Sequence, residues 1–165
     1  VAETFQHGPM YLEDLQPGMR FRAPTWPVTE TDIIRFASEF DPQPHHVDPQ
    51  AAKSSFFGGL AASGWHTAAM IMGMAMRSDL QMSGGQVGIG VENLTFSKAV
   101  RPGDVLSLDI EILAVRPSRS RPGQGIFKAR WRCTNQHGET VMEITPTVLA
   151  QTRAGREQRS TETES

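Results

Sequence analysis

Gly58-Gly59-Leu60-Ala61-Ala62-Ser63-Gly64-Trp65-His66-Thr67-Ala68-Ala69-Met70-Ile71-Met72-Gly73-Met74-Ala75-Met76-Arg77 is the stretch whose reading decides the fold. Its first part is small, its second part is bulky, and no proline interrupts it. The composition predicts a long helix over roughly residues 60–77, opened by Gly58-Gly59. Apolar side chains, among them Met70, Met72, Met74 and Met76, fall on nearly every face of such a helix. A helix apolar all round must be buried by something that wraps it. It is broken by Ser63, Gly64, His66 and Gly73, and falls short of the roughly 18–20 unbroken apolar residues a membrane span needs.

Downstream the period changes from helical to alternating. Strands are predicted over residues 88–96, 105–115, 125–134 and 140–151. Arg101-Pro102-Gly103-Asp104 reads as a turn, residues 116–124 as a loop, and Asn135-Gln136-His137-Gly138 as a hairpin turn. Upstream, residues 11–18 lead to a Pro17-Gly18 turn and a short strand over 20–26. Thr29 is placed to cap a helix, with Asp32 three residues on. That helix should stop near Asp41, since Pro42 and Pro44 follow. Asp48-Pro49 begins a short helix, Asp capping it and Pro taking its first position. Helices followed by a meander of long antiparallel strands make an α+β pattern. A sheet wrapped around one apolar helix is a hot-dog arrangement. One domain is expected over residues 1–151, with a disordered polar tail over 152–165.

The bulk numbers agree with that reading. A chain of 165 residues can build one core and is short for two. With 16 Lys and Arg against 18 Asp and Glu, it lacks the basic bias of a nucleic-acid-binding surface. The first residues show no basic region followed by an apolar run. The single cysteine, Cys133, has no internal disulfide partner. Both features fit a reduced, cytoplasmic protein, with neither a nucleic acid nor a membrane as partner.

The polar residues worth weighing gather around Asp41-Pro42-Gln43-Pro44-His45-His46. Asp41 stands at a helix end, and His46 follows five residues later, beyond two prolines that stiffen the loop. A carboxylate and an imidazole held this way can move protons around one water. An Asp at this place also serves as a turn residue before Pro, and a loop histidine often has no special role, so the spacing alone leaves both readings open. His45 is a single register slip from His46. Asp41, His45, His46 and Asp48 make a poor metal set, because they lack an i, i+4 histidine pair and adjacent histidines rarely converge on one ion. Asp48 is better read as a helix cap, His66 as a residue of the buried helix, and His137 as a solvated turn residue. Cys133 has no evident partner to activate it as a nucleophile.

Three segments resemble the MaoC-like dehydratase family, which includes the (R)-specific enoyl-CoA hydratases. Phe40-Asp41-Pro42-Gln43-Pro44-His45-His46-Val47-Asp48 is similar to the family's hydratase motif. Phe57-Gly58-Gly59-Leu60-Ala61-Ala62-Ser63-Gly64-Trp65 is similar to the start of its central helix. Phe96-Ser97-Lys98-Ala99-Val100-Arg101-Pro102-Gly103-Asp104 is similar to the strand and turn that follow. The likeness extends over about residues 11–153. Gln43 stands where the motif usually has Asn, and Ser63 where many members have His.

The resemblance implies the hot-dog fold and a hydratase/dehydratase acting on acyl thioesters, interconverting a 2-enoyl-CoA and a (3R)-3-hydroxyacyl-CoA. It assigns Asp41 and His46 as the catalytic pair. It gives the Gly64 N–H the negative charge of the thioester oxygen, as the free N–H groups and dipole of a helix start allow. A glycine that only permits tight packing is the plainer reading of that residue. Gln43 and Ser63 join Gly64 as oxyanion or substrate-binding positions, the Gln amide being able to orient a water or the Asp. No metal or redox cofactor is implied, and a homodimer or higher homo-oligomer is. Lys98, Arg101, Arg116, Arg119 and Arg121 are candidates for the phosphates of a CoA-type carrier. The same fold also hosts thioesterases, and a non-catalytic thioester-binding subunit is a further alternative.

Overall fold

The computed structural model describes residues 9–157. The Thr29 hydroxyl opens helix α1 (Glu30–Phe40), accepting from the Asp32 N–H at 3.1 Å and donating to its carboxylate at 2.7 Å. Ile33 and Ala37 face the core. Asp41 ends the helix in a non-helical conformation, as the prolines require. A four-residue helix that alternation and capping did not predict, α2 (Pro44–Val47), follows at once, with Pro44 in its first turn. Asp48 caps α3 (Pro49–Ala52), its carboxylate accepting from the N–H groups of Gln50 and Ala51.

The central helix α4 spans Gly64–Ala75, so it begins four residues later than the apolar pattern suggests. The backbone of residues 60–63 finds partners elsewhere and is not helical. The Ala61 N–H donates to the His45 carbonyl and the Ala62 N–H to the Val100 carbonyl. Leu60, Ala61 and Ala62 are buried all the same, which is why they read as helix from sequence. Ser63 caps α4, its hydroxyl accepting from the Trp65 N–H at 3.3 Å.

The antiparallel sheet combines β1 (Arg20–Arg22), β2 (Trp26–Pro27), β3 (Val87–Phe96), β4 (Val105–Pro117), β5 (Gln124–Thr134) and β6 (Thr140–Gln151). Its order is β1-β4-β5-β6-β3, with β2 also pairing with β4. Only β4, β5 and β6 form the expected meander. β3 pairs with β6 at the far edge, so residues 97–104 cross from one side of the sheet to the other. Met70, Ile71 and Met74 of α4 pack in one core with Leu106, Leu108, Ile110 and Ile112 of β4 and Phe127, Ala129 and Trp131 of β5.

The sheet packs on α4 and leaves one face of the helix uncovered, with Trp65 64% exposed and Met72 50%. The expected disorder of the tail needs correction. The tail is ordered at its start, since residues 153–157 are helical. Arg153 holds that turn down by a bidentate pair with Asp14, 2.9 Å for each bond, and by its position over the Tyr11 ring. The rest of the expected tail lies outside the described residues. Among the described residues no helix is long and apolar enough to cross a membrane.

Candidate active site

The Asp41 backbone N–H donates to Ala37 as the last turn of α1 closes, and the Gln43 N–H donates back to the Asp41 carbonyl at 2.7 Å. The chain thereby doubles back, and α2 presents His46 towards the carboxylate. Asp41 Oδ2 lies 3.6 Å from His46 Nε2. On the other side of the ring, His46 Nδ1 is 2.6 Å from the Ala61 carbonyl oxygen. A carbonyl only accepts, so Nδ1 carries a proton, and Nε2 is the ring nitrogen that faces Asp41. His46 is buried, with a relative exposure of 5%.

Asp41 accepts from the Gln43 side-chain amide at 2.7 Å through Oδ1. The Ser63 hydroxyl is the larger influence and the Gln43 amide the second; together they hold the Asp41 carboxyl below the usual carboxylate range, against the opposing effect of burial. Gln43 and Ser63, the two residues that depart from the family motif, thus both act on the Asp41 carboxylate. Ser63 is fully buried and also caps α4, so one side chain joins the acid to the helix start.

His45 does not share this arrangement. Its ring meets His46 edge-on, with centroids 4.3 Å apart, and lies against Phe57. Burial, then the neighbouring His46, push its pKa down, and Asp41 only partly offsets them. Among the described residues no group of three or more His, Cys, Asp and Glu could hold a metal ion.

Gly64 is the first residue of α4, where the N–H points out of the helix with no intrahelical acceptor. The Phe96 ring at the end of β3 lies against it: a Cβ built on Gly64 would sit 3.0 Å from that ring. Asp41, Gln43, His45, His46, Ser63, Gly64 and Phe96 line one cleft of about 960 Å³, within the range of ligand sites. The crossover forms its opposite wall, contributing Lys98, Val100 and Arg101. Lys98 is paired with Glu139 at 2.5 Å. Arg116, Arg119 and Arg121 do not line this cleft. His137, expected to be merely solvated, lines the rim. His66 is buried in α4 and stacks on Phe36. Cys133 is buried in β5, and burial pushes its thiol up to about 12, far from a nucleophile's range.

Phe96 and Arg101 both line the cleft, where Phe96 read from sequence as an ordinary strand residue and Arg101 as a turn residue and one of five candidates for carrier phosphates. Only the crossover brings them to the cleft.

Known proteins resemble this chain over most of its length. Residues 14–127 match the family model described as MaoC like domain. The chain is 34% identical over 114 residues to the Bacillus subtilis protein YdeM, covering 69% of this chain and 81% of that one. It is 29% identical over 134 residues to the 3-hydroxybutyryl-CoA dehydratase of Methylorubrum extorquens, covering 81% and 78%. The crystal structure of the MaoC-like dehydratase from Rhodospirillum rubrum superposes with a TM-score of 0.83 at 44% identity, covering 87% of this chain and 98% of that one. An antiparallel sheet packed on a central helix, with the family model matching residues 14–127, makes this chain a member of the MaoC-like dehydratase family with the hot-dog fold.

Proposed function

We propose that this chain reversibly hydrates a 2-enoyl-CoA to a (3R)-3-hydroxyacyl-CoA. Its family makes it a lyase, a hydratase/dehydratase acting on acyl thioesters. The more specific reading rests on one observation: His46, with Nδ1 tied to Ala61, presents Nε2 to the Asp41 carboxylate, and in the neutral ring that nitrogen is an acceptor. Two acceptors facing each other suit a water that donates to both. His46 Nε2 takes a proton from that water as its oxygen bonds to the β-carbon. Asp41, held as a weak base, orients the water and balances the imidazolium. His46 then returns the proton to the α-carbon, so hydrogen and hydroxyl are added and nothing else is consumed. The Gly64 N–H meets the enolate oxygen that forms in between. The relative from Methylorubrum extorquens carries the name of a 3-hydroxybutyryl-CoA dehydratase, the reverse direction of the same chemistry. The (3R) stereochemistry rests on the resemblance to the (R)-specific hydratases.

Crotonyl-CoA and butyryl-CoA separate the readings. Loss of the enoyl absorbance of crotonyl-CoA without release of CoA is the expected result, with the product oxidised only by a (3R)-specific dehydrogenase. Release of free thiol from butyryl-CoA overturns it in favour of a thioesterase, and inertness to both points to a binding subunit.

A homodimer belongs to the same proposal. β3 is a ten-residue edge strand that pairs only with β6, and Val87, Ile89 and Val91 on it are each more than half exposed. Cβ atoms built on Gly88 and Gly90 would meet nothing within 4 Å, which leaves room for another backbone. Long apolar edges are normally covered, and a second copy pairing β3 with β3 would cover this one. A cytoplasmic setting is proposed as well, on the buried, unpaired thiol of Cys133.

A further inference from the structure

Arg101 sits where the crossover turns towards β4. Its guanidinium donates to the carbonyls of Gly59 at 2.9 Å, Leu60 at 3.3 Å and Phe57. Its own N–H is fixed by Asp104 Oδ2 at 2.8 Å, and that buried carboxylate is in turn held by the Gln136 amide at 3.1 Å. The preceding residue adds a second grip, because the Val100 carbonyl accepts from the Ala62 N–H at 2.8 Å. Ala61 lies between the two grips, and its carbonyl is the partner of His46 Nδ1. Gly64 opens α4 three residues later.

Backbone carbonyls in a non-helical segment need partners, and a planar guanidinium can satisfy several at once where a Lys ammonium offers a single point. We infer that Arg101 is a positioning residue for hydration: it fixes the segment 57–61 and, through the Ala61 carbonyl, the tautomer and ring orientation of His46. Its donors serve loop carbonyls, so they are not the contact for the phosphates of a CoA carrier. This inference rests on the hydratase reading of the Asp41–His46 pair.

The test uses Arg101→Met and Arg101→Lys in the full chain. Each is assayed on crotonyl-CoA and on crotonyl-N-acetylcysteamine, which lacks the nucleotide phosphates. Misplacement of about 1 Å lowers rates by about 10²-fold. Arg101→Met should lower kcat by about that factor on both substrates with little change in KM, and Arg101→Lys should recover part of it. In ¹⁵N spectra of the imidazoles at mildly alkaline pH, His46 should show the Nδ1–H tautomer in the wild type and lose it in Arg101→Met. An intact kcat with KM raised for the CoA ester alone overturns the proposal and makes Arg101 a phosphate contact. An unchanged His46 signature also overturns it, as does failure of both variants to fold, which makes the role purely structural. If the wild type does not hydrate crotonyl-CoA, the functional reading fails, while the His46 spectra still decide whether Arg101 controls that ring.

Discussion

Asp41 and His46 meet because a helix ends, the chain doubles back and a second, four-residue helix begins. Two substitutions test the pair directly. Asp41→Asn and His46→Gln should each lower kcat on crotonyl-CoA by about 10²–10⁴-fold, the usual worth of a positioned acid or base. Steady-state rates on folded protein check this; rates within a factor of two of wild type would remove the residue from the chemistry. Ser63 supports a second prediction. The folded-state pKa of Asp41 is depressed, so the stability it contributes is present above its unfolded value and lost as pH falls through the folded value. Ser63→Ala removes the largest cause of that depression. The Asp41 carboxyl should then titrate higher in ¹³C spectra, and the acid-linked loss of stability traced to it should be smaller and complete at a higher pH. An Asp41 titration that does not move would contradict the assignment. The five-residue spacing was legible in the sequence, and so were Gln43 and Ser63 as departures from the motif. That Ser63 acts on the same carboxylate was not, because Ser63 comes beside Asp41 only once α4 is packed at the α1–α2 corner.

At the scale of elements, the start of α4 matters most. Hydrophobic periodicity cannot separate a buried extended segment from a buried helix, since both conceal every side chain, and residues 60–63 are the former. What keeps the helix from starting there is tertiary: Arg101 takes the Gly59 and Leu60 carbonyls and His46 Nδ1 the Ala61 carbonyl, the acceptors that a first helical turn would need. Gly64 then becomes the first helical residue, and a substitution there is informative. In Gly64→Ala the new methyl must displace the Phe96 ring, which is half exposed and free to yield. Stability should change little, within about 1 kcal/mol by denaturant titration, against about 1–3 kcal/mol for overpacking a rigid core. The displaced ring and the methyl should instead intrude on the cleft, lowering kcat/KM by about 10²-fold. A large loss of stability with activity retained would assign Gly64 to packing alone.

For the whole molecule, the apolar residues of β3 and the outer face of α4 are out of place on an isolated subunit. Val91→Lys would put a charge on the pairing edge. The wild type should elute as a dimer and Val91→Lys as a monomer when mass is read by light scattering during size exclusion. A monomeric wild type at micromolar concentration would refute the pairing. Sheet topology could not be read from the strands themselves. Their alternation marks which face is buried and carries no record of neighbours, so β3 was placed in the meander when it lies at the far edge. That displacement creates the crossover that lines the cleft with Phe96, Lys98 and Arg101.

By itself the sequence determined most element types, the α+β class, the caps at Thr29 and Asp48, and the spacing of Asp41 and His46, while Gly64 became a candidate through the family resemblance. These depend on short-range physics: periodicity, proline, capping chemistry and spacing along a few turns. The tertiary structure decided which histidine faces the carboxylate, which tautomer it adopts, what Ser63 and Gln43 do, and where the central helix begins. Each of those is settled by hydrogen bonds between segments far apart in the chain, such as His46 to Ala61 and Arg101 to the 57–60 carbonyls, whose geometry exists only after the sheet and α4 have packed.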